Sequence, residues 1–293
     1  MIPGEISEAI TKSGKEQISP SFTILSAESL PGGCINQVHR ISTSGGDFCV
    51  KFNNRHTFPN LFECEAAGLG LLKNTEVIKV PEVIFTGTAG DYSFILLEFI
   101  AAGRKRDDLM EDFGRSLALL HLNSEDYFGL DHDNYMGSLQ QSNEQHDDWI
   151  SFFIDERIER QVNLAHSKKL LTNGHISGFS KLCYKLPSLL CNEPPALLHG
   201  DLWNGNYMIS EEGKAALIDP AVYYGNREAD LAMTQLFGGF DNDFYESYNE
   251  TYPLISGWKE RILIYQLYPL LIHLNLFGRS YLGQIEDVLE KFL

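Results

Sequence analysis

The sequence predicts an α+β chain in two lobes, a small antiparallel sheet over residues 1–100 followed by a mainly helical part over 101–293. Two observations predict it. Short runs rich in β-branched and aromatic residues, separated by Gly- and Ser-rich turns, fill most of the first part. Beyond residue 101 apolar residues recur at helical spacing instead. At 293 residues, 43% of them hydrophobic, the chain can bury a core large enough for one big domain or two lobes.

Taken in order, residues 22–30, 38–43 and 48–52 read as three strands joined by the turn segments LPGGCINQ and STSGGD. Residues 60–73 carry Leu61, Cys64, Leu69 and Leu72 near helical spacing, and strands at 82–88 and 92–100 follow around an AGD turn. Five strands and one helix make the first lobe in this reading. Residues 101–108, with Gly103 and a charge run, form a connector. Leu109, Phe113, Leu117 and Leu120 mark a first helical stripe, and Trp149, Phe153 and Ile158 begin a second. The apolar stretch 262–277 is interrupted by Gln266, Pro269, His273 and Asn275 and is too short to span a bilayer, so it reads as one buried, Pro-kinked helix. Between these helices, 196–218 reads as a strand-loop-strand insert holding HGDLWNGN and LIDP.

A formal charge of −17 repels the phosphates of nucleic acid and anionic membrane surfaces and attracts a cationic small molecule. Nucleic acid and membrane are therefore not expected partners. Cys34, Cys49, Cys64, Cys183 and Cys191 form no CxxC pair, and the start of the chain has no basic segment followed by an apolar core. Reduced thiols in a cytoplasm are the expectation. No oligomeric state is assigned by the sequence.

His199-Gly200-Asp201-Leu202-Trp203-Asn204-Gly205-Asn206, with Asp219 thirteen residues further on, matches the HxDxxxxN…D pattern of kinase catalytic loops. Phosphoryl transfer explains the residue types. An alcohol is a poor nucleophile at neutral pH, so Asp201 orients the acceptor hydroxyl and takes its proton. Magnesium prefers hard oxygen ligands, which Asn206 and Asp219 supply while the ion bridges ATP phosphates. Taken singly, each of these residues is equally at home in an ordinary turn; their joint spacing between apolar strands favours chemistry.

Supporting residues follow. Lys51, on the strand FCVKF, reads as the holder of ATP phosphates, with Glu65 on the next helix as its ion-pair partner in preference to Glu63. Gly32 and Gly33 lie in the loop that offers backbone amides to phosphate, although a plain hairpin turn accounts for that loop equally well. Glu98 and Ile100 end the last strand, where backbone groups pair with the adenine edge. Asp230 opens an apolar helix, where a first-turn carboxylate suits the helix dipole; in kinase-like folds the equivalent acid also braces the catalytic loop, so Asp230 and His199 count as structural support of that loop. Trp203 is either a core aromatic or a stacking surface for a sugar ring.

Over nearly its whole length the chain resembles the fructosamine kinases, also called ketosamine 3-kinases, relatives of the aminoglycoside phosphotransferases. The carriers are PGGCINQVHRI, FCVKFN, FECEAAGLGLL, FGLDHDNYMGSLQQSN, DDWISFFIDERIERQ, HGDLWNGN and IDPAVYYGNREADLAMTQLFGGF. The resemblance implies a protein-kinase-like two-lobed fold and ATP- and Mg2+-dependent phosphorylation of the sugar 3-hydroxyl of a ketoamine, free or protein-bound, whose phosphorylated adduct then decomposes. By matching position it implies Asp201 as base, Asn206 and Asp219 as magnesium ligands, and Lys51 with Glu65 as the phosphate clamp. The rival readings are a kinase for another cationic acceptor, such as an aminoglycoside or choline, and an inactive nucleotide-binding module.

Overall fold

The computed structural model describes residues 2–31 and 35–293; Gly32, Gly33 and Cys34 of the phosphate-loop expectation lie outside the described residues. The chain forms two compact units, Met1–Arg106 with Met208–Ile218, and Asp107–Tyr207 with Asp219–Leu293. The second span of the first unit departs from a simple division at residue 100.

The first unit begins with α1 (Gly4–Gln17) and continues through β1 (Ile24–Ser29), β2 (Gln37–Thr43), β3 (Gly46–Asn54), α2 (Leu61–Asn74), β4 (Val83–Ala89) and β5 (Tyr92–Glu98). The five strands form an antiparallel sheet in the order β1-β2-β3-β5-β4. Side chains alternate across a strand, so Phe48, Val50 and Phe52 of β3 face one side and Lys51 the other. The first side packs with Phe94 and Leu96 of β5 against Ile6 and Ile10 of α1. Lys51, on the opposite side, meets Glu65 of α2.

Helix α1 corrects the one-helix reading of this unit. Its inward stripe is only Ile6, Ile10 and Gly14, spaced four apart and diluted by charged residues. Gly14 is pressed on Phe22 so closely that a Cβ there would lie 2.3 Å from the ring.

In the second unit come α3 (Leu109–Leu120), the hairpin β6 (Asn134–Met136) and β7 (Leu139–Gln141), α4 (Trp149–Phe152), α5 (Arg160–Ser167), α6 (Asn173–Leu189) and β8 (Ala196–Leu198). The chain then enters the β9 (Tyr207–Ile209) and β10 (Ala215–Leu217) hairpin, followed by β11 (Tyr223–Gly225), α7 (Glu228–Leu236), α8 (Asn242–Thr251), α9 (Trp258–Tyr265), α10 (Leu267–Phe277) and α11 (Leu282–Phe292). Helices α4 and α5 are bridged by a π-helical turn, Phe153–Glu159, in which the five-residue step from Phe153 to Ile158 keeps both buried.

Two readings of this half are corrected. The stretch 262–277 is two helices, divided at Gln266, because Pro269 has no N–H to give to the carbonyl of Tyr265 and sits in the first turn of α10. The 196–218 insert is not a unit: β8 pairs with β11, while β9 and β10 pair with each other. The β9–β10 hairpin joins the first unit through Leu217, whose N–H donates to the Lys79 carbonyl at 2.8 Å, and through the Ile209 carbonyl, which accepts from Gly103 at 2.9 Å. Gly103 is required there, since a Cβ would come within 2.0 Å of the Ser210 carbonyl oxygen.

Because the Phe22 ring already fills the space a methyl would need, Gly14→Ala is expected to destabilise the protein by about 1–3 kcal/mol despite the better helix propensity of alanine. Urea unfolding of the variant, with an unchanged or raised midpoint, would remove α1 from the core as described.

Candidate active site

The pairing of β8 with β11 places the loop that bears Asp201 opposite the segment that bears Asp219. Leu198 faces Tyr223 across the ladder, and the pairing continues past the strand ends, where the N–H of Ala221 donates to the His199 carbonyl at 2.9 Å. At Gly200 the backbone has φ +84°, and a Cβ would lie 2.0 Å from the Ala221 carbonyl oxygen. Only glycine admits that approach.

Asp230, in the first turn of α7, holds the same loop from behind. Its carboxylate accepts the N–H of His199 at 2.8 Å and that of Gly200 at 2.9 Å. Burial alone raises its pKa; the hydrogen bond from His121, the positive character of His121 and His199 and the Gly200 N–H outweigh burial and hold it below the usual carboxylate range.

Asp201 is the carboxylate this loop presents. The Asn206 amide nitrogen donates to its backbone oxygen at 2.8 Å and to Oδ2 at 2.9 Å, and its own N–H donates to His199 Nδ1 at 3.3 Å. Burial, then the negative charges of Asp219 and Asp230, push its pKa up to about 8 against the opposing Asn206 hydrogen bond. Since Asn206 commits its NH2 to Asp201, its Oδ1 is the end that faces away. Asp219 has φ +54°, the left-handed region, which costs a non-glycine residue about 1–2 kcal/mol. Asn206 Oδ1 and the Asp219 carboxylate are hard oxygen donors, the set that suits magnesium.

In the first unit, Lys51 Nζ lies 2.6 Å from Glu65 Oε1, with the side chains only 8% and 10% exposed. Glu63 is exposed, so α2 turns Glu65 and not Glu63 to the sheet. At the end of β5 the Glu98 N–H donates to the Glu82 carbonyl at 2.8 Å, and its carboxylate accepts the Glu82 N–H and pairs with Lys79 at 3.2 Å. Ile100 is buried. Trp203 is part-exposed, lies over Gly205 and meets the edge of Phe237 at 6.0 Å.

The model of the family described as fructosamine kinase matches residues 6–293. The chain belongs to the fructosamine kinase family. It is 40% identical over 269 residues to a probable ketoamine kinase of Enterococcus faecium, covering 89% of this chain and 93% of that one. With the chloroplastic protein-ribulosamine 3-kinase of Arabidopsis thaliana it shares 36% identity over 276 residues, 90% of this chain and 82% of the other. A fructosamine-3-kinase homologue from Haemophilus somnus, solved by crystallography, superposes with a TM-score of 0.89 at 33% identity, over 97% of this chain and 96% of that one. Membership makes the protein an ATP-dependent small-molecule kinase with the two-lobed protein-kinase-like fold.

The brace behind the loop extends to residues that sequence reasoning missed. His121 is fully buried, with Nε2 3.2 Å from Asp230 Oδ2 and Nδ1 2.7 Å from the Tyr248 hydroxyl. A signal was present: His121 directly follows the last residue of α3, four residues after the buried Leu117, where a polar residue needs a partner. No helix among the described residues is long and apolar enough to cross a membrane.

A carboxylate held below its unfolded pKa stabilises the fold above that pKa and loses the contribution as pH falls through the folded value. Asp230→Asn is therefore expected to cost about 3–5 kcal/mol at pH 7, as breaking a buried charged contact does, and to flatten the loss of Tm in acid. Tm measured from pH 7 to pH 3 checks this; parallel curves for wild type and variant would contradict it.

Proposed function

We propose that this protein transfers the γ-phosphoryl group of ATP to a sugar hydroxyl, the 3-hydroxyl, of a ketoamine, free or protein-bound, with magnesium as cofactor. The observation that carries the reading is the Asp201 carboxylate, oriented by Asn206 on a loop that Asp230 holds; burial and the charges of Asp219 and Asp230 push its pKa up to about 8. A base with a pKa near the working pH accepts a hydroxyl proton far better than an ordinary aspartate does.

Asp201 orients the acceptor O–H and takes its proton as the sugar oxygen bonds to the γ-phosphorus. The bond from that phosphorus to the β,γ-bridging oxygen breaks, and the electron pair leaves with ADP. Lys51, held straight by Glu65, carries the positive charge that meets the ATP phosphates. Asn206 Oδ1 and Asp219 would hold magnesium, which neutralises charge building on the phosphates. Trp203 offers a part-exposed ring on which the sugar can stack. The acidic surface attracts the amine of the adduct, and five cysteines without a CxxC pair suit a reducing cytoplasm. The names of the relatives, ketoamine kinase and protein-ribulosamine 3-kinase, support a ketoamine over an aminoglycoside or choline.

Asp201→Asn is expected to lower kcat by at least ~10²-fold with Tm retained. In the wild type, kcat/KM should fall as pH drops through the raised pKa of Asp201, giving an acid limb well above the ~4 of a free aspartate. Normal turnover in Asp201→Asn, or an acid limb at ~4, would dismiss Asp201 as the base. With purified protein, Mg2+ and ATP, ADP release is expected with ribulosamine or fructosamine adducts of lysine and absent with kanamycin or choline. Turnover confined to the last two would overturn the ketoamine and leave the kinase.

A further inference from the structure

The β6–β7 hairpin, from the segment DNYMGSLQQSN, buries polar side chains that the reaction above does not use. Asn134 and Gln141 face each other across the hairpin and are 4% and 1% exposed. Burying an amide costs free energy unless each of its groups is bonded, and these are. Gln141 Nε2 donates to Asn134 Oδ1 at 2.8 Å and to the Ala221 carbonyl at 3.0 Å, while its Oε1 accepts from the Tyr268 hydroxyl at 2.8 Å. Asn134 Nδ2 donates to the Val222 carbonyl at 2.8 Å, and its Oδ1 also accepts from Asn143 Nδ2 at 3.1 Å. Asn143 Oδ1 in turn accepts from Arg157 at 2.7 Å, and the Arg157 guanidinium lies over the Tyr223 ring at 4.0 Å. Every amide in the chain has its orientation dictated, because turning one over would set oxygen against oxygen.

The two backbone carbonyls at the end of this network belong to the residues two and three places after Asp219. The Ala221 N–H is bound to His199, so the backbone of 221–222 is held from both sides, by the catalytic loop and by the hairpin. Asp219 just ahead of it keeps φ +54°, a conformation that persists only where its surroundings enforce it. Apolar residues would fill a hairpin this buried at lower cost, so the network has a geometric purpose.

We infer that Gln141 and Asn134 are positioning residues that set the Asp219 carboxylate for metal binding, by clamping the carbonyls of Ala221 and Val222. The inference rests on the reading of Asp219 as a metal ligand. Groups that orient a ligand from behind alter metal affinity by about 10–100-fold when removed.

The test titrates Mn2+ by electron paramagnetic resonance into protein with ADP present and no acceptor, for wild type, Gln141→Met, Gln141→Asn, Tyr268→Phe and Asp219→Asn, with Tm recorded for each. Leu182→Ala, in the buried face of α6, serves as a comparator that lowers Tm at a distance from the hairpin. Gln141→Met, isosteric and without the donor, is expected to weaken Mn2+ binding at least about tenfold and to raise the Mg2+ needed for half-maximal turnover in parallel, with acceptor KM unchanged. Gln141→Asn keeps the amide but withdraws it by one methylene, and should weaken binding likewise; it carries the test where the methionine variant does not fold. Tyr268→Phe leaves both donors of Gln141 in place and should shift affinity less than either. Wild-type Mn2+ affinity in the Gln141 variants, or a loss no larger than in Leu182→Ala at equal Tm, would overturn the inference while Asp219→Asn still weakens binding. Wild-type affinity in Asp219→Asn would overturn the metal reading and this inference with it.

Discussion

The carboxylate of Asp230 is the acceptor from which the loop bearing Asp201 hangs. Two consecutive N–H groups, of His199 and Gly200, point into it, and a loop that turns at φ +84° has no ladder partner of its own to offer them. Charged acceptors make the stronger hydrogen bonds, and a buried carboxylate left with fewer donors would neutralise itself by taking a proton. His121 and Tyr248 prevent that by extending the network into the helices α3 and α8. The position of Asp201 thus follows from a buried carboxylate on a different element.

Electrostatics divides the acidic groups of the second unit by task. Asp230 is buried and Asp201 half-buried on the loop that Asp230 holds, yet they are pushed in opposite directions. The difference lies in the donors: Asp230 receives two backbone N–H groups and a histidine, whereas Asp201 receives one side-chain amide and faces two negative neighbours. One carboxylate is thereby kept charged to support structure, and the other suits the proton-accepting role proposed for it. In the first unit the Lys51–Glu65 pair follows the same logic: two buried ions are tolerable because each is the other's partner, and the lysine is aimed as a result.

Polar residues buried away from the chemistry have a comparable part in the segment that follows Asp219. A left-handed aspartate carries backbone strain, and the amides of Gln141 and Asn134 bond the carbonyls two and three residues after it. Distance along the chain is no obstacle to such a device, since Gln141 and Ala221 are eighty residues apart and in contact.

Local pattern by itself determined the five strands, the face of β3 that carries Lys51, the choice of Glu65 over Glu63 and the HGDLWNGN spacing, since each depends on periods of two or 3.6 or on neighbours within one loop. Helix α1 escaped because two isoleucines and a glycine make too thin a stripe among charges to be seen before their partners on the sheet are known. The break at Gln266 and the pairing of β8 with β11 needed the fold as well, because apolar content is the same on either side of the proline and strand partners lie beyond any local window. Only the tertiary structure brought His121 to Asp230, and Asn134 and Gln141 to the backbone that follows Asp219. His121 meets a carboxylate and the two amides meet backbone carbonyls eighty or more residues away, and no spacing in a sequence records which distant group a buried polar side chain will meet.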